Sequence, residues 1–131
     1  MSILTYNDKE KVWRSHQMEF PNIAIEPSPE DYHYLVAQRG LVMRLFGEAS
    51  PGDEPLGELY SISGEKLSEI PPFIVPFYRG PKETYQSRID RVVGLRDCSV
   101  ICVVISSAIH ASRVEFDLET REFKYIDANV R

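Results

Sequence analysis

The side chains best suited to covalent chemistry are two cysteines, Cys98 and Cys102, and a later histidine, His110. A thiol becomes a nucleophile when a neighbouring imidazole takes its proton. Cys102 lies inside an apolar, β-branched run at residues 99–106, and an apolar environment suppresses the reactivity of a thiol. We therefore interpret both cysteines as buried free thiols, and we assign no catalytic residue.

Residues of the types that bind metals or phosphate lack the necessary spacing in this chain. Asp53, Glu54 and Glu58 carry hard oxygen ligands, but they do not follow the pattern of a calcium loop. Gly47 and Gly52 are spaced as in a phosphate-binding loop, yet Asp53 stands where that loop requires lysine. The histidines form no paired metal-binding motif; they are His16, His33 and His110. We expect no metal site and no cofactor.

Three acidic residues, Glu115, Asp117 and Glu119, alternate with apolar ones and would share one face of a strand. Carboxylates placed in this way can perform general acid–base catalysis. Lys124 belongs to a second alternating segment and would lie beside them. We interpret the set as a solvated outer face with cross-strand charge pairs.

The elements that must position these side chains begin with a sheet in the last third of the chain. The apolar run at residues 99–106 has the length and β-branched content of a strand buried on both faces. Residues 114–118 and 123–125 alternate between apolar and polar side chains on either side of a polar turn, which predicts a hairpin. Residues 41–46 are expected to form a further strand.

One helix is expected after residue 28. Ser28 and Pro29, followed by two acids, have the form of a helix start, and Gly40 would end that helix. Residues 7–10 have the form of a capping box, which favours a short helix near the N-terminus over a strand.

A second helix is expected to begin at Gly80-Pro81 and to end at Gly94. Its apolar positions recur at helical spacing: Tyr85, Ile89, Val92 and Val93. The sequence therefore predicts a single α+β domain over residues 1–131. We expect a largely antiparallel sheet with about two helices packed against it.

Composition and charge narrow the class of protein. The chain is 43% hydrophobic and 27% charged, as is typical of a globular domain. Its formal net charge of −5 disfavours nucleic-acid binding, because neutralising phosphates requires a basic surface. A weakly basic stretch at residues 79–96 is interrupted by acids and is explained as a solvated face.

The cysteines and the hydropathy pattern predict the cellular compartment of the protein. Four residues along a strand separate the two cysteine Cα atoms by about 13 Å, which is too far for a disulfide bond. We expect no secretory signal, and no apolar run approaches the ~20 residues of a transmembrane helix. We therefore expect an acidic protein of the cytoplasm, or of another reducing intracellular compartment.

The strongest functional signal is an apolar, aromatic and proline-rich segment at residues 71–78. Pro76 would confine any strand there to a sheet edge, and an exposed edge either pairs with another chain or is covered. The alternative is that the chain's own N-terminal segment covers it. The expected partner-binding residues are Phe73, Ile74, Val75, Phe77 and Tyr78, with Arg88 and Arg91 as rim charges.

The sequence thus predicts a non-enzymatic protein–protein interaction or assembly subunit that associates with itself as a homo-oligomer. Within this class the sequence does not separate a viral or phage structural protein, an immunity protein for a toxin and an adaptor. The alternative is a small-ligand-binding protein or small enzyme. Its pocket would lie between sheet and helices and would use polar groups such as His110, Tyr60 or Tyr125.

Overall fold

The computed structural model describes residues 2–108 and 110–128, and this part of the chain folds almost entirely into β-strands. The larger of two sheets contains β1 (Ser2–Asn7), β2 (Val12–Ser15), β3 (Met18–Phe20), β4 (Tyr32–Val36), β5 (Leu41–Leu45), β7 (Gly57–Ser61) and β8 (Lys66–Ile70). The smaller sheet contains β6 (Ser50–Pro51), β9 (Gln86–Asp97), β10 (Val100–Ser107), β11 (Ala111–Asp117) and β12 (Phe123–Ala128).

Every strand pairing in both sheets is antiparallel. The spatial order is β3-β2-β1-β4-β5-β7-β8 in the larger sheet and β12-β11-β10-β9-β6 in the smaller one. The prediction of an antiparallel sheet was thus right, whereas the α+β class was wrong. The helical content of the described residues is two single-turn 3₁₀ segments, Ala37–Arg39 and Lys82–Thr84.

The main core fills the space between the two sheets. The larger sheet contributes alternate residues of β5 and β7, such as Met43 and Leu59, and the smaller sheet contributes residues of β10 and β11, such as Ile101 and Phe116. All four side chains are fully buried. The alternation follows from the two-residue period of a strand, which sends successive side chains to opposite faces.

A second, smaller core covers the outer face of the larger sheet. Residues 21–31, which we call the covering segment, lie across that face and bury Ile23 and Ile25 against Trp13 and Leu35. Two backbone contacts hold the segment in place. Trp13 Nε1 donates a hydrogen bond to the Ile25 carbonyl at 2.9 Å, and Ala24 N donates to the Ile62 carbonyl at 2.8 Å. The middle of the larger sheet, around Leu35 and Val42, is therefore covered on both faces.

The expected helix after residue 28 is wrong, because its start signal closes a turn instead. Asp31 N donates to the Ser28 carbonyl at 3.0 Å, and Ser28 Oγ donates to Asp31 Oδ2 at 2.7 Å. The chain then enters β4, where Leu35 faces the smaller core and Val36 faces the main core. Side chains that bond to nearby backbone compete with helix formation, and burial on both sides decides the competition in favour of a strand.

The expected second helix is also wrong, and bulges in β9 explain the helical spacing. β10 presents every second residue to the main core, whereas three register shifts along the pairing insert an extra residue into β9 each time. The inward residues of β9 are therefore three apart and imitate the period of a helix. The pairs that meet are Ile89 with Ile105, Val92 with Val103 and Leu95 with Ile101.

The N-terminal capping pattern belongs to a hairpin, so the expected short helix is wrong as well. Asn7 Oδ1 accepts hydrogen bonds from Lys9 N and Glu10 N, both at 3.0 Å, and Lys11 N donates to the Asn7 carbonyl at 2.8 Å. Lys11 has a positive φ of 57°, which lets the chain reverse into β2. An Asn that bonds to the next turn of backbone supports a tight turn as well as a helix start.

The strands predicted in the last third are confirmed. β10 occupies the apolar run, and β11 and β12 form the expected hairpin, in which Glu115 lies opposite Lys124. Val114, Phe116 and Leu118 point into the main core as the alternation predicts. Within the part of the chain that the structure describes, no helix has the length and apolar character needed to cross a membrane.

Candidate binding cleft

The structure separates the expected contact residues into buried and exposed groups. Phe73 and Val75 are 7% and 1% exposed and belong to the main core, so they do not present a surface to a partner. Ile74 and Tyr78 are half-buried, and Phe77 is 45% exposed. Of the five aromatic and aliphatic residues proposed for contact, Phe77 is the one with substantial free surface.

Residues 71–78 form an irregular segment rather than an edge strand. Phe73 packs against the C-terminal hairpin, with its ring 5.7 Å from that of Phe123 and 6.4 Å from that of Tyr125. The alternative expectation, that the N-terminal segment covers residues 71–78, is therefore wrong for this side chain. The reason is that β12 lies at the edge of the smaller sheet, where the segment passes.

The two expected rim charges differ in their surroundings. Arg88 bonds to its own chain, because Nη1 donates to the Gly47 carbonyl at 2.9 Å and Nη2 lies 3.4 Å from Asp90 Oδ1. Arg91 is exposed on the same strand. Arg88 therefore positions the loop that follows β5. Arg91 is the more exposed of the two arginines.

The thiols and the imidazole considered for nucleophilic chemistry are kept apart by β10. Both cysteines are free, as predicted, but Cys98 is exposed in the turn before β10 and Cys102 is half-buried within it, so neither is the fully buried thiol we expected. His110 lies beyond the other end of the strand. An eight-residue strand spans roughly 26 Å, so Cys98 and His110 do not form a catalytic pair.

The polar groups named for a pocket are also dispersed. Tyr60 lies on the outer face of the larger sheet and donates to Glu58 Oε1 at 2.9 Å. Tyr125 stacks near Phe73, and the ring of His110 lies 4.8 Å from that of Phe77. These three residues therefore do not converge on one pocket within the described ranges.

A different cleft opens on the outer face of the larger sheet, where β1 changes partners. β1 pairs with β4 from Ser2 to Leu4 and with β2 from Thr5 to Asn7. The chain that leads into β4 diverges at this point. The cleft lies between the β1–β2 hairpin and residues 27–33 and has a volume of about 340 Å³.

Aromatic side chains form the floor and walls of the cleft. Trp13 is 2% exposed, and its ring packs edge-on against Tyr6 at 5.1 Å and at a tilt against His33 at 4.7 Å. Tyr32 also lines the cleft and is 47% exposed, so it is more accessible than Trp13. Pro27 and Pro29 complete the wall on the side of the covering segment.

The charged side chains that line the cleft are both acidic. Asp8 is exposed in the β1–β2 turn, and Asp31 ends the covering segment. No lysine or arginine is among the described residues that line the cleft. Lys9 and Lys11 share the turn with Asp8 but lie outside the lining.

His33 is a buried, neutral group on the cleft wall. It is 4% exposed, and its Nε2 is buried without a hydrogen-bond partner among the residues that the structure describes. Burial and the nearby Arg44 guanidinium lower the pKa of His33 to about 4, which Asp31 opposes in part. At neutral pH its ring is therefore uncharged and can donate or accept a hydrogen bond.

An ion-pair network fixes the covering segment beside the cleft. Arg44 Nε donates to Asp31 Oδ2 at 3.0 Å, and Arg44 Nη1 lies 3.4 Å from Glu58 Oε1. Lys66 Nζ lies 2.8 Å from the other oxygen of Glu58. Arg44 and Glu58 face each other across β5 and β7, so the sheet register itself aligns the pair.

The pKa directions in the network agree with these contacts. Burial alone would raise the pKa of Asp31, but hydrogen bonds from Gly47 N, Ser28 and Arg44 outweigh it and hold that pKa below its ordinary value. Burial likewise opposes ionisation of Glu58, and bonds from Lys66 and Tyr60 lower its pKa overall. Both carboxylates are charged at neutral pH and are structural.

Sequence reasoning missed the cleft because it assigned residues 7–10 to a helix. In a hairpin, Tyr6 and Trp13 are cross-strand partners, and their rings meet. The useful signal was Asn7 followed by four polar residues between two segments that contain aromatic side chains, since that pattern also indicates a turn. The covering segment that forms the opposite wall carries no comparable local signal.

The fold defines a two-sheet antiparallel β-domain, and the cleft on its larger sheet is apolar, aromatic and acidic. Comparisons of the chain with protein-family models, with curated proteins and with solved structures gave no match.

Proposed function

We propose that the protein is a non-enzymatic interaction domain and that its cleft binds a segment of a partner protein carrying an apolar side chain beside a basic one. The observation that carries this proposal is the combination of an aromatic floor with an exclusively acidic set of charged lining residues, Asp8 and Asp31. Aromatic faces attract apolar groups and cations, and the exposed carboxylate of Asp8 favours a cation, whereas Asp31 is already paired with Arg44.

The size of the cleft supports a side-chain ligand. A volume of about 340 Å³ is at the lower end of the range for ligand pockets and accommodates one large side chain with part of a second.

The groups in the cleft favour binding over catalysis. Ser28 is the hydroxyl nearest to the charged groups, and it donates to Asp31 while Arg44 Nη2 donates to its oxygen at 3.3 Å. His33, the only imidazole among the described lining residues, is not bonded to that hydroxyl in the structure. A nucleophile needs a base within hydrogen-bond reach, and this pair lacks that contact.

Fluorescence of the single tryptophan tests the proposal, because Trp13 forms the floor of the cleft. We would titrate the protein with acetyl-Phe-Ala-Arg-amide and with the matched acetyl-Phe-Ala-Glu-amide. The arginine peptide is expected to shift the emission of Trp13 and to bind about tenfold more tightly than the glutamate peptide.

Two variants supply the control for that titration. Asp8→Lys is expected to remove the preference for arginine, whereas Asp53→Lys, which reverses an exposed acid outside the cleft, is expected to retain it. Equal affinities of the two peptides for the unmodified protein, or no change in emission with either, would overturn the proposal.

A small molecule is the second candidate occupant, and the volume of the cleft is the observation that favours it. An aromatic amine would fill the same floor and pair with the carboxylate of Asp8. Phenethylamine in place of the peptide distinguishes the two, since a small-molecule site would bind it at least as tightly as the tripeptide.

We also propose a reducing intracellular compartment such as the cytoplasm. Free thiols support this, because Cys98 is exposed and an oxidising environment would modify it. Cys98 is expected to react with a disulfide reagent faster than Cys102, and replacing Cys98 with Ser should remove the fast phase. Equal reaction of both thiols would contradict the difference in exposure.

A further inference from the structure

The loop at residues 76–82 has the chemistry that the cleft selects. Phe77 is 45% exposed, and Arg79 and Lys82 are exposed on either side of Gly80-Pro81. We propose that the cleft of one molecule binds this loop of a second copy, so that the chain assembles head to tail. The inference rests on the proposed function of the cleft and names its occupant.

The loop is ordered by its own contacts. Tyr78 N donates to the Val75 carbonyl at 3.1 Å, and the hydroxyl groups of Tyr78 and Thr84 lie 2.6 Å apart. A Cβ at Gly80 would clash with the Tyr78 hydroxyl, so glycine permits this close approach. Because Tyr78 folds back into the loop, Phe77 is the aromatic residue of the loop with free surface, although one side of its ring packs beside His110. A preformed loop loses little conformational entropy on binding.

Charge complementarity favours this occupant. The loop contributes Arg79 and Lys82, and the cleft lining offers the exposed carboxylate of Asp8, since Asp31 is paired with Arg44. Phe77 matches the aromatic floor, where rings prefer edge-on or offset contact. The apolar side chain and the cation are two residues apart, which is the arrangement of the test peptide.

A single molecule does not satisfy its own cleft. Phe77 packs beside His110, and Tyr78 packs beside Tyr85 at 4.8 Å, so the loop is held against the smaller sheet and the core. The cleft lies on the outer face of the larger sheet, beside the covering segment. A contact between two different surfaces is heterologous, and it produces rings or open chains rather than a two-fold dimer.

Four proteins test the assembly by light scattering over a concentration series: the unmodified chain, a loop variant, a cleft variant and a matched control. The loop variant is Phe77→Ser with Arg79→Glu, and the cleft variant is Tyr32→Ser with Asp8→Lys. The control is Val93→Ser with Arg91→Glu, which also removes one exposed apolar side chain and reverses one exposed cation two residues away. All the substituted side chains are exposed, so the fold is expected to persist.

Mixing provides the decisive result. The unmodified protein and the control are expected to increase in mass with concentration, while the loop variant and the cleft variant each stay monomeric. An equimolar mixture of those two is expected to stop at twice the monomer mass, because one intact loop and one intact cleft are left.

Other outcomes overturn the inference. A monomeric unmodified protein at concentrations up to about 1 mM would exclude the second copy as a useful occupant, and so would a mixture that stays monomeric. If the arginine tripeptide still shifts the emission of Trp13 in that case, the cleft binds a foreign partner and the proposed function stands. If the tripeptide fails too, the proposed function falls with the inference.

Discussion

Asp31 accepts a hydrogen bond from Arg44 Nε at 3.0 Å, and this contact joins the end of the covering segment to the middle of the larger sheet. The other oxygen of Asp31 accepts a bond from Gly47 N at 3.0 Å. One carboxylate therefore ties together the cleft wall, strand β5 and the loop that follows it. Since Asp31 also lines the cleft, the stability of this region and the shape of the site depend on the same group.

Replacing Asp31 with Ala is expected to lower the free energy of unfolding by about 1–3 kcal/mol. The reason is that Arg44, which is partly buried, and the amide of Gly47 both lose their partner. Urea denaturation measures the loss. Asp53→Ala removes an exposed carboxylate and should change stability by less than about 0.5 kcal/mol. Equal losses in the two variants would show that the ion pair does not hold the covering segment.

Stability is expected to fall as the pH is lowered from 6.5 towards 4, because His33 is neutral in the folded protein. The pKa of His33 is about 4 in the folded protein and has its ordinary value of 6.5 in the unfolded chain, so the unfolded chain binds more protons between these values. The full stability is present above pH 6.5. It declines as the pH falls from 6.5 to 4, and the loss is complete once the pH is below the folded-state pKa. The loss amounts to at most about 3 kcal/mol.

The variant His33→Phe tests this assignment, because it keeps a ring beside Trp13 and removes the titrating group. Its free energy of unfolding should be nearly independent of pH between 6.5 and 5, a range above the ordinary pKa values of Asp31 and Glu58. His16→Gln alters an exposed histidine and should keep the slope of the unmodified protein. A slope that persists in His33→Phe would assign the pH dependence to another group.

Phe73 and Phe77 are expected to respond differently to truncation although they are only four positions apart in the sequence. Phe73→Ala should cost about 3–5 kcal/mol, because its ring fills the main core beside Phe123. Phe77→Ala should cost less than about 1 kcal/mol, since nearly half of the residue is exposed. Thermal or urea unfolding measures both. A comparable loss at Phe77 would make it a core residue and remove it from the proposed contact loop.

Replacing two glycines with alanine is expected to have opposite effects on the stability of the protein. Gly64 has a positive φ of 98°, and a Cβ there would lie 2.6 Å from the Ala24 carbonyl oxygen of the covering segment. Gly64→Ala should therefore destabilise the protein by more than about 1 kcal/mol. A Cβ at Gly94 meets no atom within 4 Å, so Gly94→Ala should be neutral or stabilising by about 0.4–1 kcal/mol. Melting temperatures would decide, and a harmless Gly64→Ala would contradict the close approach.

The C-terminal hairpin was predictable because its information is local. Val114, Phe116 and Leu118 alternate with charged residues, and a strand with one buried face requires only that alternation. The apolar run of β10 was readable for the same reason. In the hairpin, apolar side chains recur every two residues, which is also the period at which side chains of a strand return to the same face.

Strand β9 was misread because its period depends on its neighbour. Residues Ile89, Val92 and Leu95 are three apart, which is ambiguous in isolation between a helix face and a bulged strand. Pairing with β10, whose inward residues are two apart, resolves the ambiguity through bulges. The segment after Ser28 is similar, since its helix-start residues become a turn once Arg44 and Gly47 are present as partners for Asp31.

By itself, the sequence determined the antiparallel pairing of the last strands, the apolar character of β10 and the acidic charge of the chain. Tertiary structure alone decided that β4 and β9 are strands, that Phe73 is buried while Phe77 is exposed, and that a cleft exists. The physical reason is the range of the interactions. Alternation acts between neighbours along the chain, whereas the cleft brings Trp13 against residues 27–33, which only the folding of the covering segment over the sheet places there.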